Sequence, residues 1–309
     1  MHLLIPFAAP LSAAGQEAAR SLSLPSLSAL LARLVPQGRD EGEEWSLSTP
    51  QERALAGAQG WVGGDGALPW AAPAAVADGV AVGHQAWGLL SPAHWHLGTD
   101  QVSLLDPAGL MLDDAASRVF FAAVQDLFAG DGYTLAYGAP SRWYAAHDSL
   151  ATLPCASLDR VIGRNVDRWL GKDPAARRVR RLQSEVQMRL YTHPLNDERI
   201  ALGLLPVNSF WLSGCGVAQA VAAHDMQADE RLRAPALADD WAGWSKAWET
   251  LDAGPLAGLL AAAKSGRPVR LTLCGERASA TFGSGPRSLI ESLKSRFAAP
   301  AWLALLESL

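Results

Sequence analysis

Little in this sequence points toward a membrane or a nucleic acid. No run of about 18 apolar residues occurs, which argues against a transmembrane helix. The net charge of −5 provides no general basic field for nucleic acid or anionic lipid. The first residues, MHLLIPFAAP, lack the basic segment of a signal peptide, and prolines interrupt their apolar run. We therefore expect a cytoplasmic protein with neither a membrane nor a nucleic-acid partner.

Cysteine is rare, and the familiar catalytic motifs are missing. Cys155, Cys215 and Cys274 are far apart in the sequence and match neither a CxxC pair nor a zinc-site spacing. They are predicted to be reduced thiols in the core. The sequence also has no Gly-x-Ser-x-Gly elbow, Walker loop or dinucleotide fingerprint. The most recognisable hydrolase and nucleotide-binding classes are therefore not indicated.

What is present indicates a folded α/β protein. Apolar residues make up 49% of the chain, and its 309 residues suggest about two domains. HLLIPF predicts a buried first strand, and the leucines between Leu24 and Leu34 have helical spacing. Thr49 and Glu52 have the spacing of a capping box at the start of another helix. The loop GWVGGDGALPWAAP, residues 60–73, is a candidate domain boundary.

The rest of the chain alternates helix and strand patterns. Residues 76–155 have strand patterns on either side of a helix, which is typical of a small α+β unit. Two helices are predicted over 157–170 and 175–191, the second with a solvated arginine face, and a buried strand is predicted from Val207 to Leu212. Trp241, Trp244 and Trp248 have helical spacing and are predicted to face the core. The remaining predictions are a helix over 251–266, a strand over 267–276, and helices over 288–297 and 301–309.

One stretch, LYTHPLNDERIALGLLPVNSFWLSGCG at residues 190–216, concentrates residue types that suit turns and caps. From His193 to Gly216 it resembles a segment of archaeal-type cofactor-independent (2,3-bisphosphoglycerate-independent) phosphoglycerate mutases, approximately HPvN-x-x-R-x-x-G-x-x-PAN-x-x-W-x-x-G-x-G. YTLAYGAPSRWYAAH and WETLDAGPLAGLLAAAKSGRPVRLTLCGE resemble other parts of that family. The resemblance implies an alkaline-phosphatase-like α/β sandwich, here residues 1–75 and 156–309, with a small inserted α+β domain at 76–155.

The same resemblance implies a nucleophilic serine and two divalent metals held mainly by Asp and His, because anionic oxygens must be brought together. Where the family has an Asp-Gly pair after its first strand, this chain has IPFAAP. Where the family has Asp-His after a late strand, this chain has TLCGERASATF, with Arg277 in that region. We therefore predict that the metal ligands are lost and that no cofactor is bound. Mn or Mg is expected only if the protein is an active enzyme.

Candidate binding residues remain in and around the motif. Arg142, His193, Asn196, Arg199 and Asn208 match polar positions of the family, and the two arginines have the donors to hold a carboxylate or phosphate. The alternative is that these side chains cap and brace the loop between a helix and a strand.

Two further sets of side chains are candidates for chemistry. Ser48 or Thr49 falls near the place of the family's nucleophile, although helix capping also explains Thr49. In HWHLGTD, His94 and His96 lie two residues apart, so a strand would place both rings on one face. With Asp100 they are a candidate zinc site.

Three functions are compatible with these observations. The first is a degenerate, non-catalytic phosphoglycerate mutase homologue with a binding or regulatory role toward an anionic metabolite or a protein partner. The second is an active phosphoglycerate mutase or a phosphatase-type phosphotransfer enzyme. The third is a structural interaction module that uses exposed members of its 12 tryptophans as anchors. The missing metal ligands favour the first.

Overall fold

The computed structural model describes residues 1–286 and 301–309, so the helix predicted over 288–297 lies outside the described residues. The fold is mixed α/β, as predicted, and the chain divides into two compact units. We call them the terminal unit and the middle unit. The terminal unit contains Met1–Glu44, Thr49–Gly60 and Ala222–Leu309, and the middle unit contains Trp45–Ser48 and Trp61–Val221.

A five-stranded mixed sheet lies at the centre of the terminal unit. Across the sheet, with strands numbered in chain order, it consists of β2 (Val35–Glu41), β11 (Ala278–Gly283), β10 (Arg270–Cys274), β1 (His2–Ile5) and β9 (Met226–Ala228). Strand β1 pairs in parallel with β10 and with β9. Strand β11 pairs antiparallel with β10 and with β2. The predicted first and late strands are thus confirmed, and they are neighbours.

The terminal unit has seven helices among the described residues, and most of them pack apolar side chains against one core. They are α1 (Ala13–Ser21), α2 (Pro25–Leu31), α3 (Pro50–Gln59), α9 (Arg233–Leu237), α10 (Trp241–Leu251), α11 (Ala257–Lys264) and α12 (Ala301–Glu307). Trp244 and Trp248 are fully buried in that core, which confirms the predicted aromatic stripe. A short π-helix, Asp252–Leu256, joins α10 to α11. It contains Pro255, which has no N–H for a regular helical hydrogen bond.

The middle unit is built on a four-stranded antiparallel sheet. Across this sheet the strands are β6 (Thr134–Ala139), β7 (Arg142–Ala146), β3 (Ala86–Ala93) and β8 (Ser209–Val217). A small hairpin of β4 (Trp95–Leu97) and β5 (Val102–Leu104) stands apart from it. Strand β8 contains most of the strand predicted from Val207 to Leu212.

Five helices of the middle unit fall within the described residues. They are α4 (Ala71–Ala77), α5 (Asp114–Gly130), α6 (Leu158–Val161), α7 (Pro174–Tyr191) and α8 (Pro194–Ala201). Helix α7 buries Val179, Leu182 and Val186 and exposes Arg177 and Arg178, so the predicted solvated arginine face is confirmed. None of the helices among the described residues is long and apolar enough to cross a membrane.

The division into units differs from the predicted insertion of residues 76–155. The middle unit extends to residues 61–221 because β8 pairs with β3 and α7 packs against α5. The segment that resembles the mutase family therefore belongs to the same unit as the strands before it. Its junction at Gly60 and Trp61 coincides with the start of the glycine-rich loop proposed as a boundary.

One local prediction needs correction, and some elements were not predicted. The helix predicted over 157–170 is limited to α6 and a 3-10 turn, Val166–Arg168, because Gly163 adopts a positive φ of 75° between them. Helix α1 and strand β2 were not predicted. Strand β2 has the sequence VPQGRDE and is mostly exposed at a sheet edge, so it lacks an alternating apolar pattern.

Asp252 caps a helix that is 225 residues away in sequence. Its carboxylate accepts hydrogen bonds from the amides of Ser26 (3.0 Å) and Leu27 (2.8 Å) in the first turn of α2, whose own N-cap residue makes no side-chain bond. We expect Asp252→Ala to lower the free energy of unfolding by about 2 kcal/mol, because buried amides lose a charged acceptor. Denaturant unfolding measures this change.

The matched control is Glu249→Ala, which removes an exposed ion pair with Lys246 on the neighbouring turn. We expect a change within about 0.5 kcal/mol for the control. Equal effects of the two substitutions would contradict the capping role of Asp252.

Candidate functional site

The carboxyl ends of β1 and β10 form the edge where the resemblance places metal ligands. The two strands are parallel neighbours with Ile5 opposite Leu273, so the segments that follow them meet. Ligands commonly bind at this edge in α/β sheets. Here the Ala8 amide donates a 2.8 Å hydrogen bond to the carbonyl of Cys274. Ala8 is fully buried, as is Cys274, and burial raises the pKa of the Cys274 thiol well above its ordinary value.

Leu309 closes the same edge from the other side. The amides of Arg277 and Ala278 both donate to the Leu309 carbonyl, at 3.2 and 2.9 Å. Gly275 lies so close that an added Cβ would stand 2.6 Å from backbone and side-chain carbons of Leu309. Leu309 is buried and belongs to the hydrophobic core of the unit. The edge is therefore filled by packed backbone and apolar side chains.

These residues do not fit the two divalent metals that the resemblance implies. Mn²⁺ and Mg²⁺ require oxygen and imidazole donors, and the side chains of the residues in contact at the ends of these two strands, Ala8, Cys274, Gly275 and Leu309, provide neither. The guanidinium of Arg277 lies 3.8 Å from Glu44 and brings a positive charge. Across residues 1–286 and 301–309, His, Cys, Asp and Glu form no group of three or more that could hold a metal ion.

The predicted polar residues of α8 are brought together, and they bond to backbone. The buried amide of Asn196 donates to the carbonyls of Leu190 (2.9 Å) and Val207 (2.8 Å) and accepts from the Val207 amide (2.9 Å). It thereby joins the end of α7 to the segment entering β8. Arg199 donates to the carbonyls of Leu205 (3.0 Å) and Leu110. Burial lowers the pKa of the Arg199 guanidinium from its ordinary value.

His193 and Asn208 hold the two ends of the same motif. The His193 ring caps α8 by accepting from the Leu195 amide at 3.2 Å, and it packs 5.3 Å from the Phe120 ring. The Asn208 side chain makes two hydrogen bonds to the Trp95 backbone. It accepts from the Trp95 amide at 2.8 Å and donates to the Trp95 carbonyl at 3.0 Å. Gly203 turns the intervening loop with a φ of 73°. The capping and bracing contacts predicted as the alternative are thus present.

Arg142 has a different set of partners from the α8 residues. Its guanidinium makes two 2.8 Å hydrogen bonds to the carboxylate of Asp78, which also accepts from the Tyr144 hydroxyl at 2.6 Å. These bonds raise the pKa of Arg142 and lower that of Asp78. Burial, together with Asp78, raises the pKa of Tyr144. Asp78 is 64 residues away from Arg142, and no sequence signal identified it as the partner.

The two nucleophile candidates are both held in local structure. Thr49 forms the predicted capping box, accepting from the Glu52 amide at 3.3 Å while the Glu52 carboxylate accepts from its own amide at 2.9 Å. Ser48 is buried, and its hydroxyl accepts from the Gly66 amide at 2.8 Å. Its own amide donates to Asp65 at 2.8 Å. Ser48 therefore holds the loop at Asp65 and Gly66 through two hydrogen bonds.

Of the candidate zinc residues, His94 and His96 lie near each other. The His94 and His96 rings have centroids 6.3 Å apart. His94 Nδ1 lies 2.8 Å from the carbonyl of Pro206, a distance that fits an N–H donor and ties His94 to the segment before β8. Among the described residues, no third ligand completes a metal site with this pair, and Asp100 is exposed.

Two features of the middle unit were missed by sequence reasoning. The Sγ atoms of Cys155 and Cys215 lie 3.5 Å apart, although 60 residues separate them. A cavity of about 30 Å³ lies beside Cys155 and is also lined by Trp169, Arg180 and Gln183. A cysteine pair far apart in sequence has no spacing signal, because only the folded chain brings it together.

Comparisons with known proteins give similarity in structure only. The sequence matches no family model and no curated protein. Among solved structures, it is similar to a cofactor-independent phosphoglycerate mutase from Thermoplasma acidophilum, with 12% identity, 99% coverage of both chains and a TM-score of 0.37. It is also similar to a Pyrococcus horikoshii protein, with 12% identity, coverage of 99% of this chain and 97% of that one, and a TM-score of 0.48. These values carry no argument about activity.

Asn196 offers a direct test of the bracing contacts. We expect Asn196→Ala to lower the free energy of unfolding by about 3 kcal/mol, because the buried Val207 amide and carbonyl lose their bonds to Asn196 and the Leu190 carbonyl loses one of its donors. Denaturant unfolding provides the measurement. Glu198→Ala, an exposed position on the same helix, is the control, with an expected change within about 0.5 kcal/mol. A loss below about 1 kcal/mol for Asn196→Ala would argue against the brace.

Proposed function

We propose that this chain is a non-catalytic relative of the cofactor-independent phosphoglycerate mutases, with an alkaline-phosphatase-like ancestry and a cytoplasmic binding role. The resemblance of residues 193–216 to that family supports the ancestry. The observation that carries the loss of catalysis is the packed edge at the ends of β1 and β10, where Ala8 bonds to Cys274 and Leu309 fills the remaining space.

Phosphoryl transfer of the family's kind needs an attacking oxygen and phosphate oxygens held together by cations. A dication placed at this edge would have to displace apolar side chains, and Ala8, Cys274 and Leu309 provide no carboxylate or imidazole side chain to bind it. Ser48 does not replace the nucleophile, because its buried hydroxyl is committed to the Gly66 amide. These contacts favour binding over the active-enzyme alternative.

For the ligand, the contacts of the two arginines favour a protein partner over an anionic metabolite. Arg142 already holds the carboxylate of Asp78 in a two-bond pair, and Arg199 is buried with its donors on two carbonyls. An incoming anion would have to replace these partners.

Exposed apolar side chains on the same unit favour a macromolecular partner. Met188 and Tyr191 at the end of α7, and Ile200 and Leu202 at the end of α8, have between 58% and 83% of their surface exposed. Where such side chains form a contiguous patch, they are typical of surfaces that bind other proteins. The tryptophan-anchor alternative has less support, since within the described residues Trp45, at 47% exposure, is the single exposed tryptophan.

The proposal is tested by a mutase assay with metal analysis. We expect the purified protein to carry substoichiometric Mn and Mg and to convert no 3-phosphoglycerate to 2-phosphoglycerate when either metal is added. An active cofactor-independent mutase, assayed in the same buffer, is the positive control. Turnover that chelation abolishes and added Mn²⁺ restores would overturn the proposal.

The preference for a protein partner is tested by thermal unfolding. We expect 3-phosphoglycerate to raise the Tm of the protein no more than sulfate at equal ionic strength, because neither arginine is available. A ligand present at 100 times its Kd would add about 2.7 kcal/mol of stability and would be detected.

The variant pair for this test is Arg142→Gln and Arg118→Gln. Arg118 forms an exposed ion pair with Asp114 and serves as the matched control. A rise in Tm that is specific to 3-phosphoglycerate, and is lost in Arg142→Gln but kept in Arg118→Gln, would show that Arg142 binds the anion and that the metabolite alternative is right.

A further inference from the structure

Two cysteines of the middle unit are already in contact. The Sγ atom of Cys155 lies 3.5 Å from that of Cys215, and both are free thiols. A disulfide has a sulfur–sulfur distance of about 2.0 Å, so the two atoms need to approach by roughly 1.5 Å. Side-chain rotation with a small backbone adjustment covers such a distance. We propose that Cys155 and Cys215 are a redox modification site that forms a reversible disulfide within the chain.

The backbone around both residues is held in place. The Cys155 amide donates to the Gly66 carbonyl at 2.9 Å, and the indole N–H of Trp211 on β8 donates to the carbonyl of Ala156 at 2.9 Å. The segment that carries Cys155 is therefore attached to the strand that carries Cys215. This attachment keeps the two thiols together in the reduced protein.

The strand around Cys215 can absorb a small adjustment. Cys215 lies between Gly214 and Gly216, whose φ angles are 63° and 151°. Glycine adopts such angles without a steric penalty. Gly88 on the neighbouring strand leaves room at the sulfur, because a Cβ added there would lie 3.0 Å from Cys215 Sγ.

The two thiols differ in how accessible they are to a small oxidant, and this difference determines which one is oxidised first. Cys155 is half-buried and lines the cavity of about 30 Å³, which exceeds the roughly 10–15 Å³ that one water-sized molecule requires. Cys215 is buried, and its contact with Cys155 together with burial raises its pKa well above the ordinary value. A small oxidant such as a hydroperoxide therefore meets Cys155 first.

The reaction with hydrogen peroxide, the simplest such oxidant, balances in two steps. The Cys155 sulfur attacks one peroxide oxygen, the O–O bond breaks, and water leaves, which gives a sulfenic acid. The Cys215 sulfur then attacks the Cys155 sulfur, the S–O bond breaks, and a second water leaves with the thiol proton. Two thiols are oxidised and one peroxide is reduced to two waters. A dithiol reductant reverses the change by thiol–disulfide exchange.

The third cysteine provides a control within the same chain. Cys274 lies on β10 of the terminal unit and is fully buried. Trypsin cuts after Lys and Arg, so each cysteine falls on its own peptide: residues 143–160 for Cys155, 200–231 for Cys215 and 271–277 for Cys274. The cross-linked product is therefore directly identifiable by mass.

The test is oxidation of the reduced full-length protein with equimolar hydrogen peroxide, followed by alkylation under denaturing conditions and tryptic digestion without reductant. We expect the protein to lose two of its three alkylatable thiols, to contain peptide 143–160 joined to peptide 200–231, and to carry the alkyl group on peptide 271–277. The intact mass of the monomer should fall by two hydrogens. A dithiol reductant should restore all three thiols.

Substitutions separate this pair from general oxidation. Cys155→Ser and Cys215→Ser should each abolish the linked peptide, whereas Cys274→Ser should retain it. The proposal is overturned if the oxidised wild-type protein keeps three alkylatable thiols, if Cys155 stops at a sulfinic or sulfonic acid, or if the linked peptides come from a covalent dimer. Because the wild-type result alone decides each of these outcomes, a variant that fails to fold does not affect the test.

Discussion

The hydrogen bond from the Ala8 amide to the Cys274 carbonyl joins the ends of β1 and β10 in the terminal unit. It joins the segments that follow two parallel strands, at the edge where an α/β sheet usually leaves its backbone open to a ligand. Once these segments are joined, Ala8 is buried and Leu309 packs against the remaining backbone. The edge contributes to stability as part of the hydrophobic core. The proposed loss of the metal site rests on this apolar packing.

The middle unit shows how polar residues are used when a chain must connect a helix to a strand through a loop. The backbone groups of such a loop need partners when they are buried. Asn196 and Arg199 supply them for Val207 and Leu205, and Asn208 attaches the end of the loop to the backbone of Trp95 on β4. Residue types that in another chain could hold a substrate here satisfy the main chain. The same strand, β8, carries Cys215, so its position also determines the thiol contact with Cys155.

Much of the fold could be predicted from local sequence signals. The first strand, the capping box of Thr49 and Glu52, the arginine-faced helix α7 and the buried face of Trp244 and Trp248 depend on residues a few positions apart. Strand β2 was missed because a polar edge strand has no such pattern. The limits of the middle unit were also beyond local signals, since they depend on β8 pairing with β3 more than 100 residues earlier.

The sequence by itself determined that Ala8, Ala9 and Gly275 lie near the ends of β1 and β10, and a side chain without a donor atom offers no metal ligand in any fold. The sequence also identified candidate polar residues, but it did not determine which groups they contact. Only the tertiary structure decided that Arg142 pairs with Asp78, that Asp252 caps α2, and that Cys155 meets Cys215. The physical reason is range: caps and periodicity act between near neighbours in sequence, whereas these partners are 60 to 226 residues apart and meet only when the core has formed.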